Sequence, residues 1–171
     1  IDCIKLNNTV YASIAGIGFD ALIAREFAKT KTRGFQPYLK LVLQNYPQYK
    51  PQNYTLIIDD IEINTQALFV SFSNSNQFGF DVEIANNASL CDGLIDVVIV
   101  QKPPLPLLFW TAQLLFWRKF DNSIYVNAYQ AKKVTVKSNN PTGVNLDGEY
   151  AEFDTDLTFE IMPDSLNVII P

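Results

Sequence analysis

The spacing of apolar and polar residues at the start of the chain predicts two strands followed by two helices. Apolar residues alternate with polar ones from Ile4 to Ala15, on either side of a turn at Asn7-Asn8, as in a β-hairpin. Residues 21–29 have a helical apolar stripe with Asp20 as the predicted N-cap. Residues 38–46 repeat the helical spacing after a proline. This part of the chain therefore combines β and α structure.

After residue 50 the period becomes extended, and strands dominate the rest of the chain. Two alternating runs flank Asp59-Asp60 like the arms of a hairpin. Other short runs are separated by Gly, Pro, Asn and Asp. The predicted strands are 54–58, 61–65, 67–73, 95–100, 123–128, 132–137, 157–161 and 167–170. Many short strands with two or three helices predict a mainly β fold with α insertions (α+β), arranged as a β-sandwich.

The most apolar segment runs from Leu105 to Trp117. It is shorter than the ~20 residues that a membrane-spanning helix needs, and it contains Thr111 and Gln113. Both faces of the predicted helix are apolar, so one of them must be covered by something other than water. Burial against protein and contact with a membrane or lipid chains are the two interpretations.

Composition limits the chemistry that the chain can perform. There is no histidine, which excludes Ser-His and Cys-His nucleophiles, histidine general bases and histidine metal ligands. The formal net charge of -5 argues against nucleic acid as a partner, because phosphate recognition needs a concentrated basic surface. Two cysteines, Cys3 and Cys91, do not make a disulfide framework, and a reducing, cytoplasmic compartment fits them better.

Polar residues concentrate where the strand patterns stop, in residues 73–79, 86–96 and 145–150. Asp92-Gly93 and Asp147-Gly148 are ordinary turn dipeptides, so a structural role is favoured for each on local grounds. Asp147 and Glu149, two residues apart, can instead share one face. Such a pair can hold a divalent cation or divide acid and base roles. The residues alone leave both interpretations open.

Together these segments resemble a known family in order and spacing. The matching runs are Gly16 to Ala21 (GIGFDA), Phe72 to Gly79 (FSNSNQFG), Ala88 to Val97 (ASLCDGLIDV), Leu146 to Glu149 (LDGE) and Pro163 to Pro171 (PDSLNVIIP). They resemble the C-terminal domain of diacylglycerol kinase-type lipid kinases, in particular the bacterial YegS-like enzymes, with sphingosine and ceramide kinases more distant. The resemblance spans nearly the whole chain and includes polar positions that a sandwich does not need.

The resemblance implies an enzyme of the NAD kinase/diacylglycerol kinase-like architecture in which residues 1–171 form the single C-terminal domain. An α/β domain with a Gly-Gly-Asp-Gly-Thr loop would bind ATP; this sequence contains neither that loop nor an initiator Met. The implied reaction transfers the γ-phosphoryl group of ATP to the hydroxyl of diacylglycerol or a similar lipid. A non-catalytic lipid-binding or interaction module of the same fold, or a relative of NAD kinases, is the alternative.

The resemblance also assigns roles to individual residues. Glu149 matches the family's catalytic carboxylate and would accept the proton of the lipid hydroxyl. Asp147 would orient Glu149 or help to hold the catalytic Mg²⁺. Gly148 would allow the lipid or nucleotide to approach the backbone. Asn74 matches a stretch that faces the nucleotide cleft, although residues 77–80 (QFGF) depart from the two glycines of many relatives.

A structural Mg²⁺ site is implied for the 86–96 segment. Asp92 would supply a carboxylate, Ser89 and Leu94 would supply backbone carbonyls, and water would complete the shell, a set of ligands that suits a hard cation. Cys91 stands where a small or polar residue is expected, which leaves its exposure open. Mg²⁺ is thus the implied cofactor, and ATP the co-substrate bound mainly by the other domain.

A lipid substrate needs an apolar slot beside the cleft. Residues 105–117, with Phe109 and Trp110, and the helix that follows Phe19 have the right character. Lys29 and Lys31 belong to a basic cluster suited to anionic headgroups. We therefore expect a lipid substrate and peripheral contact with the inner face of a membrane, with homodimerisation left open.

Overall fold

The computed structural model is a β-sandwich, and it describes residues 1–79, 82–86, 88–117, 119–138 and 140–169. Its strands are β1 (Cys3–Leu6), β2 (Thr9–Tyr11), β3 (Ile14–Gly18), β4 (Gln52–Ile58), β5 (Ile61–Ala67), β6 (Phe69–Ser73), β7 (Gln77–Gly79), β8 (Val82–Glu83), β9 (Ile95–Val100), β10 (Val126–Ala131), β11 (Lys133–Lys137), β12 (Thr142–Leu146), β13 (Glu149–Phe153) and β14 (Leu157–Met162). Its helices are α1 (Phe19–Ala28), α2 (Phe35–Asn45) and α3 (Leu105–Phe116), with a 3-10 turn at Phe120–Asn122.

The strands form two six-stranded antiparallel sheets. The first sheet has the order β2-β1-β14-β11-β4-β5, and the second has the order β10-β9-β6-β3-β12-β13. Strands β7 and β8 form a separate hairpin. The predicted mainly β fold with α insertions is therefore confirmed.

The hydrophobic core lies between the two sheets. Leu56, Val134 and Phe159 from the first sheet and Phe72 and Val97 from the second are fully buried. The rings of Phe72 and Phe159 stack across the interface, with centroids 3.8 Å apart. Successive side chains of a strand point to opposite faces, so one apolar set per strand enters this core. That alternation is the pattern by which the sequence predicted most of these strands.

The helices cover the outer face of the second sheet. Helix α1 packs on β12 and β13, and α2 packs on α1. In α3, Leu114 contacts the cluster built on Val98 and Val100 of β9. No residue of α2 is fully buried, because only one face of this helix touches the protein. No helix in the described ranges is long and apolar enough to span a bilayer.

Helices α1 and α2 both begin after a glycine. Gly18 and Gly34 occupy the N-cap positions, with φ of 83° and 106°. The prediction of Asp20 as the N-cap was wrong, because Asp20 lies within the first turn of α1 and its carboxyl group points into the protein. Pro37 occupies the first turn of α2, where its missing N–H is not needed.

Two further predictions differ from the structure. The predicted strand 167–170 is absent over residues 167–169, and Ile170 lies outside the described residues. Ile1 and Leu166 exchange backbone hydrogen bonds just before this segment, and among the described residues no strand pairs with 167–169. The predicted loop 145–150 is the tight end of a β12–β13 hairpin, in which Leu146 pairs with Glu149.

Candidate functional site

Neighbouring strand ends of the second sheet meet at one edge and bring the predicted polar segments together. Ser73, which ends β6, pairs with Ile14, which begins β3, and with Asp96 near the start of β9. Leu146, which ends β12, pairs with Ala15 of β3. Adjacent antiparallel strands begin and end at a common edge, so the segments that join them lie side by side. We call this edge the site rim; it comprises residues 12–14, 74–75, 92–94 and 147–149.

A tight turn at Asp147-Gly148 carries Glu149 at the site rim. Both turn residues have positive φ, 47° and 94°, as in a type I′ hairpin. The Asp147 carboxylate accepts hydrogen bonds from the three backbone amides of residues 12–14, at 2.9, 3.0 and 2.8 Å. Charge-assisted bonds of this kind are about twice as strong as neutral ones. Asp147 therefore fastens the turn to β3, which fits the orienting role rather than the metal-holding role.

Glu149 is exposed at the first position of β13. Its carboxylate makes no hydrogen bond or ion pair with any residue that the structure describes. A Cβ atom at Gly148 would meet no heavy atom within 4 Å, so the space in front of the turn is open. A free carboxylate beside an open surface can receive a proton from a bound hydroxyl group.

A buried polar relay supports the turn from inside the protein. Asn145 donates from Nδ2 to Oδ2 of Asp20 at 2.9 Å, and its Oδ1 accepts the N–H of Gly148 at 3.0 Å. Asp20 is 5% exposed, and burial raises the pKa of its carboxyl group to about 6, against the opposing effect of the Asn145 hydrogen bond. Burial, and secondly the nearby Asp20, raises the pKa of Tyr38. Asp20 thus positions the backbone next to Glu149 through Asn145.

The Gly16 position makes room for the Asp20 carboxyl group. A Cβ atom built on Gly16 would lie 1.9 Å from Oδ2 of Asp20. Any side chain at this point of β3 would therefore displace the carboxyl group from Asn145. This contact explains why glycine and aspartate stand four residues apart in the GIGFDA run.

Asn74 and Asp2 connect the remaining segments of the site rim. Asn74 donates from Nδ2 to the carbonyls of Asp2 and Ala12, at 2.9 and 2.8 Å. The Asp2 carboxylate accepts the N–H groups of Gly93 and Asp164, at 2.8 and 2.9 Å. Asn74 is 0% exposed, so it braces the site rim instead of facing an open cleft as predicted. Its Oδ1 is buried and has no hydrogen-bond partner among the described residues.

The Asp92 loop offers the oxygen atoms expected for a hard cation. Asp92 is exposed, and its Oδ1 accepts the N–H of Leu94 at 3.1 Å. In the described ranges, no donor reaches the carbonyl oxygens of Ser89 or Leu94. One carboxylate and two free carbonyls suit Mg²⁺ with several waters, so these residues fit the implied ion. Cys91 is an exposed free thiol, and the described residues contain no group of three or more acidic or thiol side chains able to hold a metal.

A cleft of ≈ 470 Å³ opens beside the Asp92 loop. It is lined by Asp92, Gly93, Lys132, Lys133, Glu160, Ile161 and Pro163. Nζ of Lys133 lies 2.6 Å from Oε1 of Glu160 across its floor. Four of the seven lining residues are charged and none belongs to α1 or to residues 105–117, so this cleft is not the predicted lipid slot.

Some of the apolar side chains predicted to form a lipid slot belong to a small core. Phe19 and Ile23 of α1 are buried with Tyr46, and Leu108 of α3 packs against them. These side chains contribute to a small core, and the lipid slot at residues 105–117 and the α1 helix stays a prediction.

Three of the other predicted lipid and membrane residues, Trp110, Lys29 and Lys31, lie on the surface. Trp110 is 63% exposed; Phe109 lies in α3, but its side chain is outside the described part of the structure. Lys31 is exposed. Nζ of Lys29 pairs with Oε1 of Glu26 at 2.8 Å, so its charge is partly compensated.

Sequence reasoning missed the roles of three residues. Asp20 lies inside the GIGFDA run and Asn145 directly precedes the LDGE run, and these positions were the available signal. No sequence pattern indicated the role of Asp2, because its hydrogen-bond partners Gly93 and Asp164 are 91 and 162 residues away along the chain.

Comparisons with known proteins found a matching family model and similar solved structures. A family model described as the YegS C-terminal NAD kinase beta sandwich-like domain matches residues 13–170. Three similar solved structures from Bacillus anthracis str. Sterne, two named as a putative diacylglycerol kinase and one as a diacylglycerol kinase, have TM-scores of 0.69, 0.64 and 0.61 at 19%, 18% and 13% identity. Each comparison covers 95% of this chain but only 53%, 54% and 50% of the other chain. The chain thus spans about half the length of these proteins. No curated protein matches the sequence.

Proposed function

This chain belongs to the family of YegS C-terminal NAD kinase beta sandwich-like domains, and on that basis we propose that it is the acceptor-side domain of an ATP-dependent lipid kinase. Structural neighbours named as diacylglycerol kinases support this proposal. The observation that carries it is an accessible carboxylate, Glu149, on a turn that Asp147 and Asn145 hold in place. A free carboxylate on a rigidly positioned turn has the arrangement expected of a general base.

In the proposed reaction the oxygen of a lipid hydroxyl attacks the γ-phosphorus of ATP. A bond forms between that oxygen and phosphorus, the bond to the β-phosphate oxygen breaks, and ADP leaves. The hydroxyl proton passes to the Glu149 carboxylate. Carboxylates are weak bases, with reference pKa values near ~4.3, but the hydroxyl becomes acidic only as it attacks. Open space in front of Gly148 leaves room for the acceptor.

We propose that a second domain binds the triphosphate. The site rim carries Asp92, Asp147 and Glu149 but no Lys or Arg, and an acidic edge alone would repel the phosphates. A glycine-rich loop or basic residues of the second domain would supply the positive potential that these phosphates need. Mg²⁺ held by Asp92 and the carbonyls of Ser89 and Leu94 would stabilise the loop beside Asp2.

The proposal is tested in a polypeptide that joins this chain to its nucleotide-binding domain. Transfer of labelled phosphate from ATP is measured with diacylglycerol, phosphatidylglycerol, a sphingoid base and NAD as acceptors. We expect transfer to a lipid, and we expect Glu149→Gln to lower kcat by about 10²–10⁴-fold with the free energy of unfolding unchanged. Glu152→Gln, in the same strand, is the matched control and should retain activity.

Three results would reject parts of this proposal. Near-normal turnover of the Glu149→Gln variant would remove Glu149 from the reaction. Phosphorylation of NAD without phosphorylation of any lipid would replace the lipid kinase by an NAD kinase relative. Binding of lipid without transfer to any acceptor would identify a non-catalytic module.

A further inference from the structure

The chain contains two Asp-Gly dipeptides, Asp92-Gly93 and Asp147-Gly148, and both lie in the site rim. Aspartate followed by glycine converts readily to isoaspartate, because glycine has no side chain to hinder the approach of its amide nitrogen to the preceding carboxyl group. A folded protein permits or prevents this reaction according to what holds the amide and the carboxyl group. The two dipeptides differ in that respect.

The reaction joins the aspartate side chain to the backbone amide that follows it. The glycine nitrogen attacks Cγ, a C–N bond forms, and one carboxyl oxygen leaves as water with the amide proton and a proton from the solvent. The product is a five-membered succinimide ring. Water then opens the ring, and when it breaks the bond between the nitrogen and the former backbone carbonyl carbon, the main chain runs through Cγ. The chain thus gains one backbone carbon without any oxidant or cofactor.

The Asp147-Gly148 dipeptide is held at both reacting groups. The Asp147 carboxylate accepts hydrogen bonds from the three backbone amides of residues 12–14, at 2.9, 3.0 and 2.8 Å, which keep its Cγ against β3. The amide of Gly148 donates to Oδ1 of Asn145 at 3.0 Å. Both sets of bonds would have to break before the nitrogen could reach the carboxyl group, so the fold protects Asp147.

The Asp92-Gly93 dipeptide is held less firmly. Asp92 is exposed, and its Oδ1 accepts the N–H of Leu94 at 3.1 Å. Because this bond spans Gly93, it curls the carboxyl group back over the glycine. Gly93 has a φ of 71°, and a Cβ atom built on it would meet no heavy atom within 4 Å, so water has access to the turn.

The restraint on the Gly93 amide is a hydrogen bond to the side chain of Asp2. The Gly93 N–H donates to Oδ2 of Asp2 at 2.8 Å, and Oδ1 of Asp2 accepts the N–H of Asp164 at 2.9 Å. Asp2 is 2% exposed, so its carboxylate is fixed in place. The amide nitrogen must give up its proton to attack, and a proton that is bonded to a negative charge is harder to remove.

We propose that Asp92 is a site of spontaneous isoaspartate formation and that the hydrogen bond from Gly93 to Asp2 limits its rate. The extra backbone carbon would displace the carboxylate at position 92 and the carbonyl of Leu94, which are two of the ligands proposed for Mg²⁺. The inference does not depend on the proposed phosphoryl transfer, because the reaction needs only this chain and water.

The test is incubation of the folded chain in water enriched in oxygen-18, at neutral pH. Each succinimide that hydrolyses takes up one labelled oxygen atom, and digestion in ordinary water followed by mass spectrometry locates the label and the isoaspartate. We expect the rate at Asp92 to exceed the rate at Asp147 by at least about tenfold, since one hydrogen bond to a charged group corresponds to about 10- to 100-fold. In urea, which frees both amides, the two rates should agree to within about threefold.

Substitutions separate the two parts of the proposal. Asp2→Ala removes the acceptor of the Gly93 amide and should raise the rate at Asp92 by at least about tenfold, with little change at Asp147. Asp60→Ala, at an exposed turn, is the matched control and should leave both rates unchanged. Asp92→Glu lengthens the side chain, so the five-membered ring cannot form and the label at position 92 should disappear. Circular dichroism checks that each variant is folded.

Two outcomes would overturn the inference. Equal rates at Asp92 and Asp147 in the folded wild type, or no label at Asp92 while the urea-unfolded chain becomes labelled there, would show that the fold protects both dipeptides alike. A folded Asp2→Ala variant that reacts at the wild-type rate would remove Asp2 from its limiting role. If Asp2→Ala does not fold, the comparison of the two dipeptides within the wild type still decides whether Asp92 is the reactive site.

Discussion

The buried carboxyl group of Asp20 makes the stability of the protein depend on pH in a specific way. Burial raises its pKa from 3.8 to about 6 in the folded protein. Below the pKa of the unfolded protein, the Asp20 carboxyl group is neutral in both the folded and the unfolded state, and its contribution to stability is fully present. As the pH rises through the pKa of Asp20 in the folded protein, the charged carboxylate is disfavoured by burial, and that contribution to stability is lost. Asp20→Asn replaces the group with an amide of the same shape that does not titrate.

The magnitude follows from the two pKa values. Each pKa unit corresponds to about 1.4 kcal/mol, so a rise from 3.8 to about 6 corresponds to about 3 kcal/mol at full ionisation. The side-chain oxygen of the amide can still accept the hydrogen bond from Asn145, so the substitution preserves the relay to Gly148. At pH 4 the unfolded state is already partly ionised, so about 0.5 kcal/mol of this effect is present there, and we expect the variant to gain about 2.4 kcal/mol relative to the wild type between pH 4 and pH 7.5.

Urea unfolding of both proteins at these two pH values measures the effect. The free energy of unfolding of the variant minus that of the wild type should rise with pH. Asp60→Asn, at an exposed turn, is the matched control, and its difference should be the same at both pH values. If the Asp20→Asn difference is constant with pH to within about 0.5 kcal/mol, the argument that Asp20 is buried and titrates near neutrality is refuted.

Two further substitutions test the support of the site rim. Gly16→Ala should lower the free energy of unfolding by about 1–3 kcal/mol, because the new Cβ atom would overlap Oδ2 of Asp20; urea unfolding with unchanged stability would contradict this contact. Asp147→Ala removes the acceptor of three backbone amides and should cost about 2–4 kcal/mol. The same variant should lose hydrogen-exchange protection at residues 12–14, and full protection there would show that other groups hold this segment.

The local pattern of apolar and polar residues was enough to predict most strands and helices of the fold. The hairpin predicted around Asp59-Asp60 forms β4 and β5, because alternation and a turn dipeptide act over a few residues. The strand predicted at 167–170 has the same alternating pattern, but a strand also needs a neighbouring strand to pair with. The described structure places no such neighbour beside residues 167–169. Three of the recognised motifs, at 72–79, 88–97 and 146–149, contain residues of the site rim because each includes a turn or loop next to a strand end.

The amino-acid sequence by itself determined the features that follow from local periodicity and from the distribution of charge. These features are the sandwich, the Asp147-Gly148 turn, the site motifs and the basic segments around the helices. Only the tertiary structure decided which polar side chains are exposed and which are buried. Glu149 remains open, Asn74 is enclosed, and Asp20 meets Asn145, which is 125 residues away. The physical reason is that backbone preference acts between near neighbours, whereas burial and hydrogen-bond partners depend on how distant segments pack.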